Sequence, residues 1–248
     1  MHSKLKKGLT IGTIVFAVVL AIVVAVLLIV GITGHDEATF MEVCRHGDRV
    51  LYFDQGIEGE RSDGEVACER TTEPLWTKAS FPLTVTALSH DGKVLQRDHD
   101  AWRAIDQALE DANSQFGFQA FQKVAPGSPA TVTIFWGVPY GNGPAERAEG
   151  YVSHFYNRDG STDLVSGNEA CDSNGLCAHV GIRAIASERV SYIVLVHELG
   201  HVLFLGHDDY TASVMYPLSF DDSEDATIVN WTRFVDGDVD AIQERFSN

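Results

Sequence analysis

Apolar and polar residues alternate in several segments of the chain, and this alternation predicts β-strands. The first strand runs from residue 81, with Leu83, Val85 and Ala87 on one face, and ends near His90. Further segments have the β-branched and aromatic composition of strands: residues 131–138, 151–156 and 178–185. The pattern therefore indicates a sheet in the C-terminal part of the chain.

Apolar residues at helical spacing predict three helices between and after these strands. Residues 98–116 carry the apolar stripe of an amphipathic helix that packs on a sheet. Ser187 is a suitable N-cap for a second helix with Glu188 in its first turn, and residues 235–246 form the third. Strands and helices mixed in this way predict an α/β or α+β fold.

Residues 9–33 contain no charged side chain and follow a cluster of three lysines, Lys4, Lys6 and Lys7. At about 1.5 Å per residue, a helix of this length crosses a hydrocarbon core of about 30 Å. We predict a transmembrane signal-anchor helix, with residues 1–8 in the cytoplasm and the rest of the chain outside. A cleaved signal peptide, which would give a secreted protein, is the alternative, although its apolar region is usually only about 7 to 15 residues long.

Residues 34–78 are polar, rich in Gly and Glu, and without sustained periodicity, so we predict an extracytoplasmic stalk that contains one disulfide-tied loop. The folded domain is expected at residues 79–248.

The chain has 4 cysteines, all beyond the apolar segment, and an even number in an exported domain predicts two disulfides. Three pairings are open, and nearness in sequence favours Cys44 with Cys68 and Cys171 with Cys177.

The chain is strongly acidic, with 35 Asp and Glu against 18 Lys and Arg and a formal net charge of −17. A polyanion would be repelled, so we expect no nucleic-acid partner. Oxygen-bearing side chains alternate over residues 157–163, as they do in calcium-binding loops, but the glycine is misplaced for an EF-hand. Calcium binding is therefore possible, but the sequence does not support it. We expect a monomer.

The segment His197-Glu198-Leu199-Gly200-His201 lies on the second predicted helix. His197 and His201 are four residues apart on one face, so both imidazoles can bind one tetrahedral zinc ion. Glu198 is rotated by about 100° from His197, near the metal without being a ligand, which suits a general base. Zinc needs a third protein ligand, and His207 can supply it only if the helix stops and the chain turns back.

Other histidines lack ligand-like spacing and are interpreted as ordinary surface or core residues: His90, His99, His154 and His179.

Together with Ser213-Val214-Met215-Tyr216-Pro217, this segment resembles the active-site region of the matrixins, a branch of the metzincin zinc peptidases. The resemblance implies a metzincin-like fold, with a mixed, mostly parallel sheet, an early helix, an active-site helix and a small C-terminal subdomain that ends in a helix. It implies that Met215 is the floor beneath the zinc, and that Tyr216 and Pro217 form a wall of the specificity pocket. The implied zinc ligands are His197, His201 and His207, and the implied general base is Glu198.

One residue departs from the family pattern. The family has glycine three residues after the second histidine, where this chain has Phe204. A non-glycine residue with positive φ costs about 1–2 kcal/mol. We therefore expect the reversal within residues 204–206, with Gly206 taking the unusual backbone angles.

The resemblance implies a zinc-dependent endopeptidase that hydrolyses peptide bonds with a zinc-bound water activated by Glu198. Its substrate would be a polypeptide, paired in extended form with an open edge of the strand at residues 178–185. Phe204 motivates the alternative of a catalytically silent metzincin-fold binding module on the cell surface. A gluzincin, with Asp221 or Glu224 as the third ligand, is a further alternative.

Overall fold

The computed structural model describes the backbone of ten segments of the chain. These are residues 42–46, 49–53, 67–70, 76–97, 99–138, 150–156, 170–183, 188–207, 213–216 and 233–247. Within these segments, no helix is both long enough and apolar enough to cross a membrane. The anchor predicted at residues 9–33 lies outside them.

The strands of the described segments form one eight-stranded sheet. In chain order they are β1 (Glu42–His46), β2 (Arg49–Phe53), β3 (Ala67–Arg70), β4 (Leu83–Ser89), β5 (Phe121–Lys123), β6 (Val132–Val138), β7 (Gly150–Tyr156) and β8 (Leu176–Arg183). Their order across the sheet is β3-β1-β2-β7-β8-β6-β4-β5. The pairs β5–β4, β4–β6 and β6–β8 are parallel, and β7 lies antiparallel to β8. This part of the sheet is therefore mixed and mostly parallel, as the resemblance implied.

Three helices accompany the sheet: α1 (Ala101–Phe116), α2 (Glu188–Val202) and α3 (Asp236–Phe246). The inner face of β4 and the apolar stripe of α1 are buried in one hydrophobic core, which removes their apolar side chains from water. From residue 191 onward α2 has no exposed side chain, which is typical of a helix inside the core. The hydroxyl of Tyr192 on α2 donates a hydrogen bond to Asp111 on α1, so the two helices are tied by a polar contact as well.

The elements predicted from residue 81 onward are confirmed, with shifts of a few residues at their ends. Helix α1 begins at Ala101 rather than at residue 98 and ends at Phe116. The C-cap residue Gly117 has a φ of 71°, the left-handed conformation of many helix ends. Helix α2 begins at Glu188, and the N-cap predicted at Ser187 lies outside the described residues.

Residues 35–75 depart from the sequence-based expectation of an irregular segment. Three of the eight strands lie there, and β1 pairs antiparallel with both β2 and β3. Short, polar strands of four or five residues carry little periodic signal, so their pairing could not be read from the sequence. Whether the segment serves as a stalk stays a prediction.

The expected disulfide between Cys171 and Cys177 is present, and it joins the second residue of β8 to the segment that precedes the strand. For the other expected pair, the backbone register sets Cys44 on β1 opposite Cys68 on β3. Opposed residues of antiparallel strands have Cα atoms about 4.5–5.5 Å apart, within the range that a disulfide spans. The register is therefore compatible with the predicted bond, while the two side chains lie outside the described part of the chain.

The strand predicted at residues 178–185 is β8, and the expectation that it offers an open edge to a substrate is wrong. Strand β8 pairs along its length with β7 on one side and β6 on the other. The sequence could not reveal this, because the partners of a strand are set by the remote segments that fold beside it.

Candidate metal centre

Helix α2 carries three of the residues singled out in the sequence. His197 and His201 lie one turn apart, with ring centroids 4.6 Å from each other and side chains that are more than nine-tenths buried. Glu198 is 4% exposed and sits on the same stretch of helix. The apolar residues around them hold α2 in the core, so these polar side chains face a site from which most water is excluded.

The chain reverses directly after α2, as a third ligand at His207 requires. The amide of Phe204 donates to the carbonyl of His201 at 2.9 Å, and the amide of Leu205 donates to the carbonyl of Gly200 at 3.1 Å. These two bonds form the Schellman motif that ends many helices, with Phe204 at the position of the usual left-handed glycine.

The predicted role of Gly206 in this turn is wrong. Phe204 has a φ of 67°, and Gly206 is absent from the glycines with positive φ among the described residues. A left-handed conformation at Phe204 carries a local free-energy cost, which was the reason to expect it at Gly206 instead. Tertiary contacts of the phenyl ring, described below, override that local preference.

The reversal brings the imidazole of His207 to those of the helix. Its Nε2 atom lies 3.2 Å from Nε2 of His197 and 3.3 Å from Nε2 of His201. Nitrogens bound at 2.0–2.1 Å to one tetrahedral zinc ion are about 3.3 Å apart. The three nitrogens thus have the spacing of ligands that share one zinc ion, and they form the one such cluster found in the described part of the chain.

Backbone carbonyls fix which nitrogen of each helical imidazole faces the cluster. Nδ1 of His197 donates to the carbonyl of Val214 at 2.6 Å, and Nδ1 of His201 donates to that of Leu205 at 2.7 Å. A carbonyl can only accept, so the proton is on Nδ1 and the lone pair of Nε2 is directed into the cluster. This is the arrangement in which metal-binding histidines are oriented by groups behind them.

Burial also favours the neutral form that binds a metal. It lowers the pKa of His197 and that of His207 to about 4, and lowers the pKa of His201 to about 3. It raises the pKa of the Glu198 carboxyl to about 8, and Oε2 of Glu198 has no hydrogen-bond partner. Three neutral imidazoles beside a buried, unsatisfied carboxyl fit a divalent cation, whose charge would favour the carboxylate.

Residues 213–216 form a turn that packs against α2 beside the cluster. The hydroxyl of Ser213 accepts a hydrogen bond from the amide of Met215 at 3.0 Å, which shapes the turn. Met215 is fully buried, and its side chain lies against Gly200, where a Cβ atom would meet Met215 Cε at 3.1 Å. Tyr216 is partly buried at the end of this turn. Pro217, Asp221 and Glu224 lie outside the described residues.

Gly150, the first residue of β7, was not identified in the sequence and contacts the site directly. A Cβ atom there would meet Cγ of Glu198 and Cγ1 of Val194, each at 2.7 Å. Only glycine leaves room for the Glu198 side chain in its present position. A glycine within a strand can mark such a close approach, but the sequence does not indicate which side chain approaches.

The other four histidines whose side chains the structure describes occupy surface and core positions. His90 and His99 are exposed, whereas His154 and His179 are buried. In the register of β7 and β8, His154 is opposite Ala178 and His179 is opposite Ser153, so the two imidazoles leave opposite faces of the sheet. They therefore cannot share one metal ion.

The sequence of the chain is similar to that of a known protein family. The sequence model of the family described as matrixin matches residues 76–247, which include every residue of the metal centre and the strands β4 to β8. No curated protein matches the chain.

Proposed function

Because the chain belongs to the matrixin family, we propose that it is a zinc-dependent endopeptidase whose metal is held by His197, His201 and His207. The observation that carries the proposal is the spacing of the three Nε2 atoms, with His207 at 3.2 and 3.3 Å from the other two. Zinc is the ion that suits three imidazoles and leaves a fourth position for the reaction.

Glu198 is proposed as the general base. Zinc, when bound, would polarise the scissile carbonyl and lower the pKa of the attacking water towards about 7. The Glu198 carboxylate takes a proton from that water and returns it to the leaving amine. Gly150 and Val194 restrict the Glu198 side chain, which keeps the carboxylate beside the metal during both transfers.

The proposed substrate is a polypeptide bound in extended form along β7. Over residues 150–154, β7 pairs with β8 on one side, and none of the described strands pairs with it on the other. Backbone groups at a sheet edge can pair with an added strand. A peptide there would pass Gly150, and hence Glu198.

The alternative of a silent binding module has no observation in its favour. It was motivated by Phe204, which occupies the left-handed turn position while the three imidazoles still converge. A module released from catalysis would have no need of a buried carboxyl with an unpartnered oxygen at this place.

The proposed location rests on the sequence alone. Residues 9–33 would anchor the chain in the cell membrane, with the N-terminus cytoplasmic and residues 79–248 outside. An anchored chain stays in the membrane pellet after alkaline carbonate washing. Release of the full-length chain into the supernatant would contradict the anchor, and release of a chain shortened by the N-terminal segment would favour secretion after cleavage.

The decisive test of function uses the full chain in detergent with a quenched peptide library. We expect cleavage that is abolished by a zinc chelator and restored by added Zn²⁺. In Glu198→Ala, bound zinc should remain near one per chain while turnover falls by about 10² or more, because the base is lost and the ligands stay. Unchanged turnover in this variant would contradict the role of Glu198.

A further inference from the structure

Phe204 holds a backbone conformation that its own chemistry disfavours. It is the one non-glycine residue with positive φ among the described residues, and it lies between the second and third residues of the metal cluster. A phenylalanine has no short polar side chain with which to stabilise this conformation locally. The turn therefore depends on what surrounds the side chain.

The phenyl ring of Phe204 lies in a buried cluster of three rings, formed with Trp76 and His154 and called here the aromatic cap. The rings of His154 and Phe204 are stacked, with centroids 4.5 Å apart and planes at 27°. The Trp76 ring lies 6.0 Å from each of them. All three side chains are at most 4% exposed. These contacts with His154 and Trp76 restrict the direction of the Phe204 side chain, and with it the backbone that carries it.

The aromatic cap also binds the end of α2. The carbonyl of Val202 accepts a hydrogen bond from Nε1 of Trp76 at 2.6 Å and another from Nε2 of His154 at 3.1 Å. Carbonyls in the last turn of a helix have no partner within the helix, so these two donors satisfy a group that would otherwise be buried without one. His154 thus holds both the last helical turn and the ring that follows it.

The bend held by the aromatic cap contains the groups that orient the cluster. The carbonyl of Leu205, one residue after Phe204, accepts the Nδ1 proton of His201. His207 follows two residues later and completes the cluster. A change in the backbone at residue 204 would therefore move the imidazole of His207. It would also displace the Leu205 carbonyl, which orients the imidazole of His201.

We propose that the aromatic cap positions the metal cluster, and that His154 is a positioning residue that acts on His201 and His207 through Phe204 and Val202. In this chain a clamped phenyl ring takes the place that glycine has in the family turn. The inference rests on the zinc site proposed above. It assigns to a buried histidine of β7 a role that is distinct from metal binding.

The test measures zinc affinity by chelator competition on the full chain, in the wild type and in His154→Ala and Phe204→Gly. Loss of groups that orient metal ligands lowers metal affinity by about 10- to 100-fold, and we expect this loss in both variants. Phe204→Gly suits the left-handed backbone and should fold, so it decides the question even if His154→Ala is unstable. The matched control is His179→Ala, which removes a buried histidine that packs on Phe135 on the other face of the sheet and should leave zinc affinity unchanged.

A spectroscopic readout separates positioning from general loss of stability. The Co²⁺-substituted wild type should show the visible absorption of a tetrahedral site, and Phe204→Gly should shift or weaken these bands while the far-ultraviolet circular dichroism stays the same. His154→Phe keeps a ring against Phe204 but loses the donor to Val202. We expect it to recover part of the zinc affinity that His154→Ala loses.

The outcomes distinguish this inference from the proposed function. If the wild type itself binds no zinc, the proposed function fails. If the wild type binds zinc and Phe204→Gly binds it equally well or more tightly, the positioning role of the aromatic cap is overturned. Equal loss of affinity in His179→Ala would overturn it as well, since the effect would then follow from any buried histidine of the sheet.

Discussion

At the scale of single residues, the site depends on a position without a side chain, Gly150, as well as on its polar side chains. Glu198 is buried with one unpartnered oxygen, and Gly150 leaves the space that its side chain fills. A buried carboxyl without a partner is costly to stability, and such groups are concentrated where chemistry takes place. We therefore expect the pair formed by Gly150 and Glu198 to serve the proposed reaction rather than the stability of the fold.

Gly150→Ala should impair the reaction without removing the metal. The added methyl would lie within 2.7 Å of Val194 Cγ1 and of Glu198 Cγ, so the carboxylate must move. A displacement of about 1 Å in a catalytic group can cost about 10²-fold in rate, and we expect a fall of that order in kcat with unchanged zinc content. Gln107→Ala, at an exposed position of α1, is the control. Normal kcat in Gly150→Ala would show that Glu198 does not depend on this close contact.

At the scale of elements, α2 connects the metal centre to the rest of the core. Phe234 and Met215 lie against Gly200 of α2, and Phe234 packs on Phe116 of α1 with ring centroids 4.7 Å apart. The amide of Phe234 also donates to Gln115 of α1 at 2.9 Å. Phe234 therefore joins the C-terminal part of the chain to α1 at the place where it packs against α2.

Gly200→Ala tests this close packing. Alanine would favour the helix by about 1 kcal/mol over glycine. Its Cβ, however, would meet Phe234 Cε1 at 2.8 Å and Met215 Cε at 3.1 Å, and overpacking a buried site typically costs about 1–3 kcal/mol. Since both neighbours are buried, we expect a net loss in the free energy of unfolding in urea. Gln107→Ala, at an exposed position of α1, should change it by less than about 0.5 kcal/mol. A stabilised Gly200→Ala would contradict the tight contact.

Elements with a strong local pattern could be predicted from the sequence, whereas their pairing could not. The stripe of α1 and the alternation of Leu83, Val85 and Ala87 in β4 are local signals, and the structure has both elements. The interior position of β8, and the partly unpaired side of β7 over residues 150–154, depend on which remote strands pair. The expectation of an open edge on β8 failed for this reason.

The metal cluster was predictable for a similar reason, because its ligands lie within eleven consecutive residues. His197 and His201 follow from helical spacing, and the need for a third ligand points to His207. The groups that hold the cluster come from elsewhere in the chain. Trp76, His154 and Gly150 carry no signal that connects them to residues 197–207, so the sequence could not indicate that Phe204, rather than Gly206, takes the left-handed conformation.

At the scale of the whole molecule, stability and the metal site are linked through buried histidines. Burial lowers the pKa of His154 to about 3, of His197 to about 4 and of His201 to about 3, so the folded protein holds them neutral. The unfolded chain takes up protons below about pH 6.5, where ordinary histidines titrate. Above about pH 6.5 these histidines are neutral in both states, and their burial does not oppose folding. As the pH falls from 6.5 towards the folded-state pKa values of about 4 and 3, the unfolded chain binds protons that the folded protein does not, so the free energy of unfolding decreases.

We predict that the chelator-treated protein loses stability when the pH is lowered from 7.5 to 5. The measurement is urea unfolding at the two pH values. The same measurement on His154→Phe should show a smaller loss, because one histidine that must stay neutral is gone. A stability independent of pH over this range would contradict the burial of neutral histidines.

The most direct test of the central claim is X-ray absorption at the zinc edge of the zinc-loaded full chain. Three imidazole nitrogens at about 2.0–2.1 Å are expected, and His207→Ala should reduce their number to two while leaving the other two distances unchanged. Fewer than three imidazoles in the wild type, a sulfur ligand, or no change in His207→Ala would contradict a metal centre built from residues 197, 201 and 207.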